Sequence, residues 1–388
     1  MKKKLLSILL ILAMVFCFAA CGGNDEPAAD GDTETYAVAM ITDYGDITDQ
    51  SFNQATYEGC KDWCEANKVG FKYFKPVDNS DAERIRSTEK AIDEGFSVIV
   101  MPGYAFAPTI EAVAAKNPDV KFIALDVALG DLLAAHFADY NYDPTDERWA
   151  SYQLPANVYC ATYAEEIAGY FAGYAAVKEG YTKLGFLGGM SVPAVIRYGY
   201  GFVQGCNDAA EGAEIEIKYV YGGQFFGDAD ITAVMDTWYG SGTQVVFACG
   251  GGIYTSACDA ALKTGGKVIG VDVDQSGTIA AQYNGKVECV TSAMKGLYAT
   301  VQTQLENTIN KEKFVSTIEN LGLVSATETD KNYVQLPTAT WSMKNYTVEQ
   351  YKELVGKIYS GEVVVSNDIT AAPTVASTTH VDYQGNIK

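Results

Sequence analysis

Along the chain from Thr35 onward, short apolar runs alternate with longer stretches whose apolar residues recur at helical spacing. The runs at 36–42, 70–75, 97–103, 121–127, 183–189, 214–221, 244–250, 267–273 and 286–292 are rich in Val, Ile, Phe and Ala and predict strands. The stretches 51–67, 81–95, 161–180 and 254–266 predict helices between them. Regular alternation of strand and helix implies crossover connections, so the expected fold class is α/β, with parallel sheets covered by helices on both faces.

Two such series are present, one before Tyr140 and one after Cys160, and the segment 140–157 between them has no strong period. A chain of 388 residues has room for two packed cores, and 48% hydrophobic residues supply the apolar surface to build them. The expected organisation is a first lobe of 36–155 with a return at 280–330, and a second lobe of 156–279 with 331–388. The chain would cross between lobes more than once, giving a hinge that bends without coming apart. The last twenty residues show no clear pattern.

The amino end changes the picture of where the protein works. Lys2, Lys3 and Lys4 precede an apolar run from Leu5 to Phe18, then Ala19, Ala20 and Cys21. This order reads as a signal peptide over 1–20, too short in its apolar part for a comfortable membrane span. The sequence Phe18-Ala19-Ala20-Cys21-Gly22 resembles a bacterial lipobox, which implies lipidation of Cys21, an acidic flexible tether over 21–35, and anchoring on the outer face of the cell membrane. Residues 1–20 carry three lysines and no acid, so their removal takes the formal charge from −21 to −24. Such a surface repels nucleic acid. Beyond Cys21, seven cysteines remain at 60, 64, 160, 206, 249, 258 and 289, and the histidines are His136 and His380. An odd number without a CxxC pair points to buried free thiols rather than to zinc.

In an open parallel sheet, ligands bind beyond the carboxyl ends of the strands. That rule selects Asp43 and the helix opening Phe52-Asn53 after the first strand, Asp126 after the fourth, Gly250 and Gly251 after QVVFAC, and Asp272 after VIGV. An ionised carboxylate accepts two hydrogen bonds side by side and so suits a vicinal diol. Asp49 and Asp274 read instead as helix caps. For Phe52, and for Phe225 after the strand at 214–221, pattern alone favours core packing, although a flat heterocycle would need such rings for stacking.

The string MITDYGDITDQSFNQATYEG (40–59) resembles the opening of the basic membrane protein family of lipoproteins, the purine-nucleoside-binding components of ABC importers. Matches continue in order through 122–127, 165–176, 184–205, 221–228, 247–252, 268–277 and 290–296. The resemblance implies a periplasmic-binding-protein fold of the first type, with two doubly wound lobes and a nucleoside in the cleft. Carried over by position, Asp43 and Asn53 would contact the base, Phe52 and Phe225 would cover its faces, Asp126, Asp272 and Lys295 would hold the ribose hydroxyls, and the Gly250 and Gly251 backbone would line the wall. Thr48 and GGGIY (250–254) depart from the family pattern, which leaves the base open.

The resemblance further implies a monomer that hands its nucleoside to the permease subunits of an ABC importer, with no cofactor, no metal and no catalytic residue. The same fold would also serve capture or sensing of a sugar or other polyol. A nucleoside hydrolase using clustered aspartates and calcium is the enzymatic alternative, but these acids lie in separate loops without a DxD-type cluster or a neighbouring histidine.

Overall fold

The protein is described as a computed structural model over residues 37–43, 45–143 and 145–388. The expected signal peptide, Cys21 and the tether lie outside the described residues. The strands are β1 (Ala37–Ile41), β2 (Gly70–Phe74), β3 (Val98–Pro102), β4 (Lys121–Leu125), β5 (Val158–Tyr163), β6 (Lys183–Gly188), β7 (Ile215–Tyr221), β8 (Val245–Cys249), β9 (Lys267–Asp272), β10 (Glu288–Lys295), β11 (Thr317–Leu321), β12 (Val334–Gln335) and β13 (Thr379–Asn386). They form two sheets, ordered β11-β5-β4-β3-β1-β2 and β12-β10-β9-β8-β6-β7-β13. Neighbouring strands run parallel except β10 and β12.

Parallel pairing explains the sequence of the central strands. Every residue of β3 and of β8 is buried, because helices cover both faces and leave no solvent side to be polar. Each sheet repeats one topology: the second strand of its series lies outside the first, and the third, fourth and fifth follow on the other side. The order therefore reverses between β1 and β3 and again between β6 and β8, which opens a crevice at the carboxyl ends of both sheets.

Two expected lobe boundaries fall elsewhere. The strand β5 pairs with β4 from Phe122–Val158 to Leu125–Ala161 and so belongs to the first sheet, not to a lobe beginning at 156. The strand β10 pairs with β9 in the second sheet, not in a return beginning at 280. Only β11 returns, beside β5. Apolar runs identify buried strands but not their neighbours, which pairing decides. The helix expected over 161–180 begins at Glu165, because residues 161–163 complete β5. Residues 379–386, unpatterned in sequence, form the edge strand β13.

The chain passes between the sheets after β5, after β10 and between β11 and β12. The first crossing leads into the helix Glu165–Glu179, which packs closely against the helix Pro193–Ala209. Glycines let the two backbones touch: a Cβ on Gly169 would lie 2.0 Å from the Tyr198 carbonyl oxygen, and one on Gly201 would lie 2.0 Å from that of Glu166. The contact sets the first turn of one helix against the other, beside the crevice.

The Gly201→Ala substitution is expected to destabilise the protein by about 2 kcal/mol or more, since both backbones must move to admit one methyl group. Urea unfolding compared with Ala209→Gly at the end of the same helix measures this; equal midpoints for Gly201→Ala and the parent would refute the packing argument.

Candidate ligand-binding site

A cavity of about 360 Å³ occupies the crevice between the carboxyl ends of the two sheets. That volume lies within the ordinary range for small-molecule sites, about 300–1,000 Å³. Asp43, Phe52, Asn53, Asp126, Phe225, Gly250, Gly251, Asp272 and Lys295 all line it. The fold brings together every residue of this set, from the carboxyl ends of β9 and β10, the helix after β1, and the loops that follow β1, β4, β7 and β8.

Asp126 and Asp272 occupy corresponding positions at the ends of β4 and β9, with φ of 59° and 64°. Left-handed backbone is uncommon for residues other than glycine, and aspartate tolerates it better than most. The turn lifts each carboxylate away from its strand and toward the cavity. Lys295 ends β10 between them and is buried. Its ammonium donates to Asp126 Oδ2 at 2.7 Å and lies 3.1 Å from Glu165 Oε1. Glu165 also accepts from Arg197 Nε at 2.6 Å, so the helix pair delivers a second cation to the same cluster. Ser51 Oγ donates to Asp272 Oδ2 at 2.7 Å.

These contacts set the protonation states. Burial pushes the Asp126 carboxyl up to about 6, against the pull of Lys295 and with a push from Glu165. Asp272 is raised by burial as well, opposed by Lys295 and Ser51. Burial disfavours the charged Lys295, but Asp126, Glu165 and Asp272 outweigh it and hold the ammonium protonated. Glu165 stays below its usual value despite full burial, because Arg197 and Lys295 both face it. Neighbouring Glu166 is pushed up to about 7 by burial and by the charge of Glu165.

Aromatic rings form part of the cavity lining. Phe52 opens the helix Phe52–Asn67, and Lys295 Nζ sits 5.3 Å from its ring centroid, with the Tyr163 and Tyr198 rings at 5.2 and 5.6 Å. Phe225 is seated over glycines. A Cβ on Gly189 would fall 2.3 Å from its Cδ1, one on Gly250 would fall 3.0 Å away, and Gly252 N–H donates to the Phe225 carbonyl at 2.9 Å. The Gly250–Gly252 turn thus serves to place this ring. Both phenylalanines are half-buried at the cavity rather than enclosed in a core.

Polar groups complete the lining. Asp43 Oδ1 accepts from Gly45 N–H at 2.6 Å. Asp49 accepts the backbone N–H groups of Ser51, Asn53 and Gln54 and so caps the helix Phe52–Asn67 from ahead of its cap residue, Ser51, whereas Asp274 accepts only Ser276 N–H and the cap position of the helix Ser276–Gln282 is Gln275. Asp49 holds Asn53 by Nδ2 at 3.3 Å, which leaves Asn53 Oδ1 turned elsewhere. Asn53 Oδ1 and Asp126 Oδ1 are both buried with no hydrogen-bond partner among the described residues. Buried polar oxygens without a partner are uncommon and call for an explanation, of which a bound ligand is one.

Glu165, Arg197, Tyr198 and Gly189 belong to the site but were not singled out from the sequence. A glutamate in the first helical turn reads as an ordinary partner of the helix dipole. Its role depends on Arg197 and Lys295, which are 32 and 130 positions away. All seven cysteines from Cys60 to Cys289 are buried and unpaired.

Residues 36–368 match the family model described as ABC transporter substrate-binding protein PnrA-like. The chain is 29% identical to the ABC transporter nucleoside-binding protein BmpA of Lactococcus lactis, over 71% of this chain and 75% of that one. It is 28% identical to basic membrane protein A1 of Borrelia garinii, covering 79% and 81% of the two chains. Among solved structures, a solute-binding protein of an Aeropyrum pernix ABC transporter superposes with a TM-score of 0.66 at 18% identity, over 86% of this chain and 94% of that one. One from Conexibacter woesei gives 0.63 at 22%, over 86% and 99%. The α/β fold with parallel sheets is thus that of ABC solute-binding proteins, and proteins of this family are extracytoplasmic and membrane-associated. Among the described residues no helix is long and apolar enough to cross a membrane. The chain belongs to the Bmp family of PnrA-like ABC transporter substrate-binding proteins.

Proposed function

We propose that the protein captures a nucleoside in this cavity, without covalent chemistry, and delivers it to the permease of an ABC importer while held to the membrane by lipid at Cys21. The observation that carries the reading is the unpartnered, buried Asp126 Oδ1 beside the Lys295 ammonium, in a cavity that also holds two phenylalanine rings. A ribose diol supplies two donors to a carboxylate and two oxygens to an ammonium, and a base supplies a flat face to the rings. Asn53 and Asp43, which line the same cavity, would read the edge of that base. The Lactococcus relative named as nucleoside-binding supports the same ligand class. Binding would favour the closed arrangement, because one ligand touches the loops of both sheets.

Calorimetric titration with inosine, guanosine and adenosine is expected to show tight binding to at least one. Asp126→Ala should weaken it by about tenfold to a hundredfold, the worth of a hydrogen bond to a charged group. Phe52→Ala should cost about tenfold. Ribose binding as tight as that of inosine, with no effect of Phe52→Ala, would replace this reading by polyol capture. Release of free base from inosine on prolonged incubation would contradict the absence of chemistry.

Hydroxyls donating to Asp126 favour its ionised form, so ligand would lower a pKa that burial holds at about 6. Affinity should therefore rise as pH increases through 6 and level off above 7. Asp126→Asn should flatten this dependence, and an unchanged profile in that variant would argue against Asp126 as the titrating group. Cys21→Ser is expected to move the protein from the membrane fraction to the soluble fraction of its host, as seen by immunoblotting.

A further inference from the structure

The loop that carries Phe225 is fastened from outside the span that matches the family. That match ends at residue 368, while β13 and the two residues after it occupy 379–388. The strand β13 runs parallel to β7 from Thr379–Ile215 to Asn386–Tyr221, with an irregularity after Tyr383 where Gly385 takes a φ of 71°. Its side chains hold it in place. The Tyr383 ring lies 5.0 Å from that of Tyr219, Trp238 Nε1 donates to Gln384 Oε1 at 3.1 Å, and Ile387 packs on the core beneath the second sheet.

From there the chain follows β7 into its loop. Ile387 N–H donates to the Tyr221 carbonyl at 2.8 Å, and Lys388 packs so close to Gly223 that a Cβ there would lie 3.0 Å from Lys388 Cβ. The Lys388 ammonium donates to Asp228 Oδ2 and lies 3.6 Å from Asp230 Oδ2. Asp228 closes the loop at its far end: it accepts from Gln224 Nε2 at 2.7 Å, caps the helix Ala229–Gly240 through Ile231 N–H, and its own N–H donates to Ser256 Oγ. Lys388 thus touches both ends of the segment 223–228, with Phe225 between them.

We propose that β13 and Lys388 form a brace that fixes the Phe225 ring at the cavity, making Lys388 a positioning residue for ligand binding. The ring lies against the backbone at Gly189 and Gly250. Its own carbonyl accepts from Gly252 N–H at 2.9 Å, so the ring moves with the loop backbone that Lys388 holds at both ends, and the brace narrows the conformations open to that loop. Ligand then finds the stacking surface already formed, which is the physical basis of affinity through preorganisation. The inference rests on the reading of Phe225 as a base-stacking ring.

The test compares Lys388→Ala and Lys388→Arg in the full chain, with and without Phe225→Ala. Lys388→Ala is expected to weaken inosine binding roughly three- to fivefold, in line with a partly exposed ion pair. In the Phe225→Ala background the same change should produce less than about a 1.5-fold effect, because the brace acts through the ring. Hydrogen exchange of the 222–228 amides in ligand-free protein should quicken in Lys388→Ala and return in Lys388→Arg. Equal losses of affinity in both backgrounds, or unaltered exchange in the loop, would overturn the brace. If the parent protein binds no nucleoside, the proposed function fails, and the exchange measurement alone decides whether Lys388 restrains the loop.

Discussion

A buried ammonium organises the crevice. Lys295 sits at the end of a second-sheet strand, yet its closest partner, Asp126, ends a strand of the first sheet, and Glu165 reaches it from the helix that follows the first crossing. Taking such a charge out of water costs several kcal/mol unless opposite charges and hydrogen bonds replace the solvent. The two carboxylates would in turn repel each other without the cation between them. The cluster is therefore satisfied only when both sheets present their carboxyl ends to the same place, and the cavity lies there. Arg197 extends this logic by balancing Glu165, so that Lys295 remains directed at Asp126.

The fold makes that meeting possible by repetition. In each sheet the fourth strand of the series leads to an aspartate with left-handed backbone that lines the cavity. Two halves of like topology thus contribute like groups from opposite sides. The glycine contact between the helices Glu165–Glu179 and Pro193–Ala209 brings Glu165 within reach of Arg197, linking a packing feature remote from any ligand to the charge balance of the site. At the aromatic lining, glycines do the converse work: they withhold side chains so that Phe225 can lie against the backbone of Gly189 and Gly250.

The strands that lie in the middle of each sheet were legible because both their faces are covered, which forces an unbroken apolar run such as VIVMP or VVFAC. The site aspartates were legible for a related reason, since strand ends are where a parallel sheet can hold a ligand. What escaped notice were elements with weak signals of their own. The strand β5 reads VYCATY and merges with the helix after it, β11 is only partly buried, and β13 is an edge strand whose outer residues meet solvent. Edge strands gain their order from one neighbour, so their composition is free to vary.

Composition and periodicity by themselves determined the α/β class, the two series of elements and the aspartates at strand ends, because each follows from local burial or from the geometry of a single unit. Sheet membership of β5 and β10 was decided only in the tertiary structure, as was the Glu165–Arg197–Lys295 cluster and the seating of Phe225. These depend on which distant segments lie side by side. A run of apolar residues records that it is buried, and a charged residue records that it needs a partner, but neither records which strand or which opposite charge lies next to it.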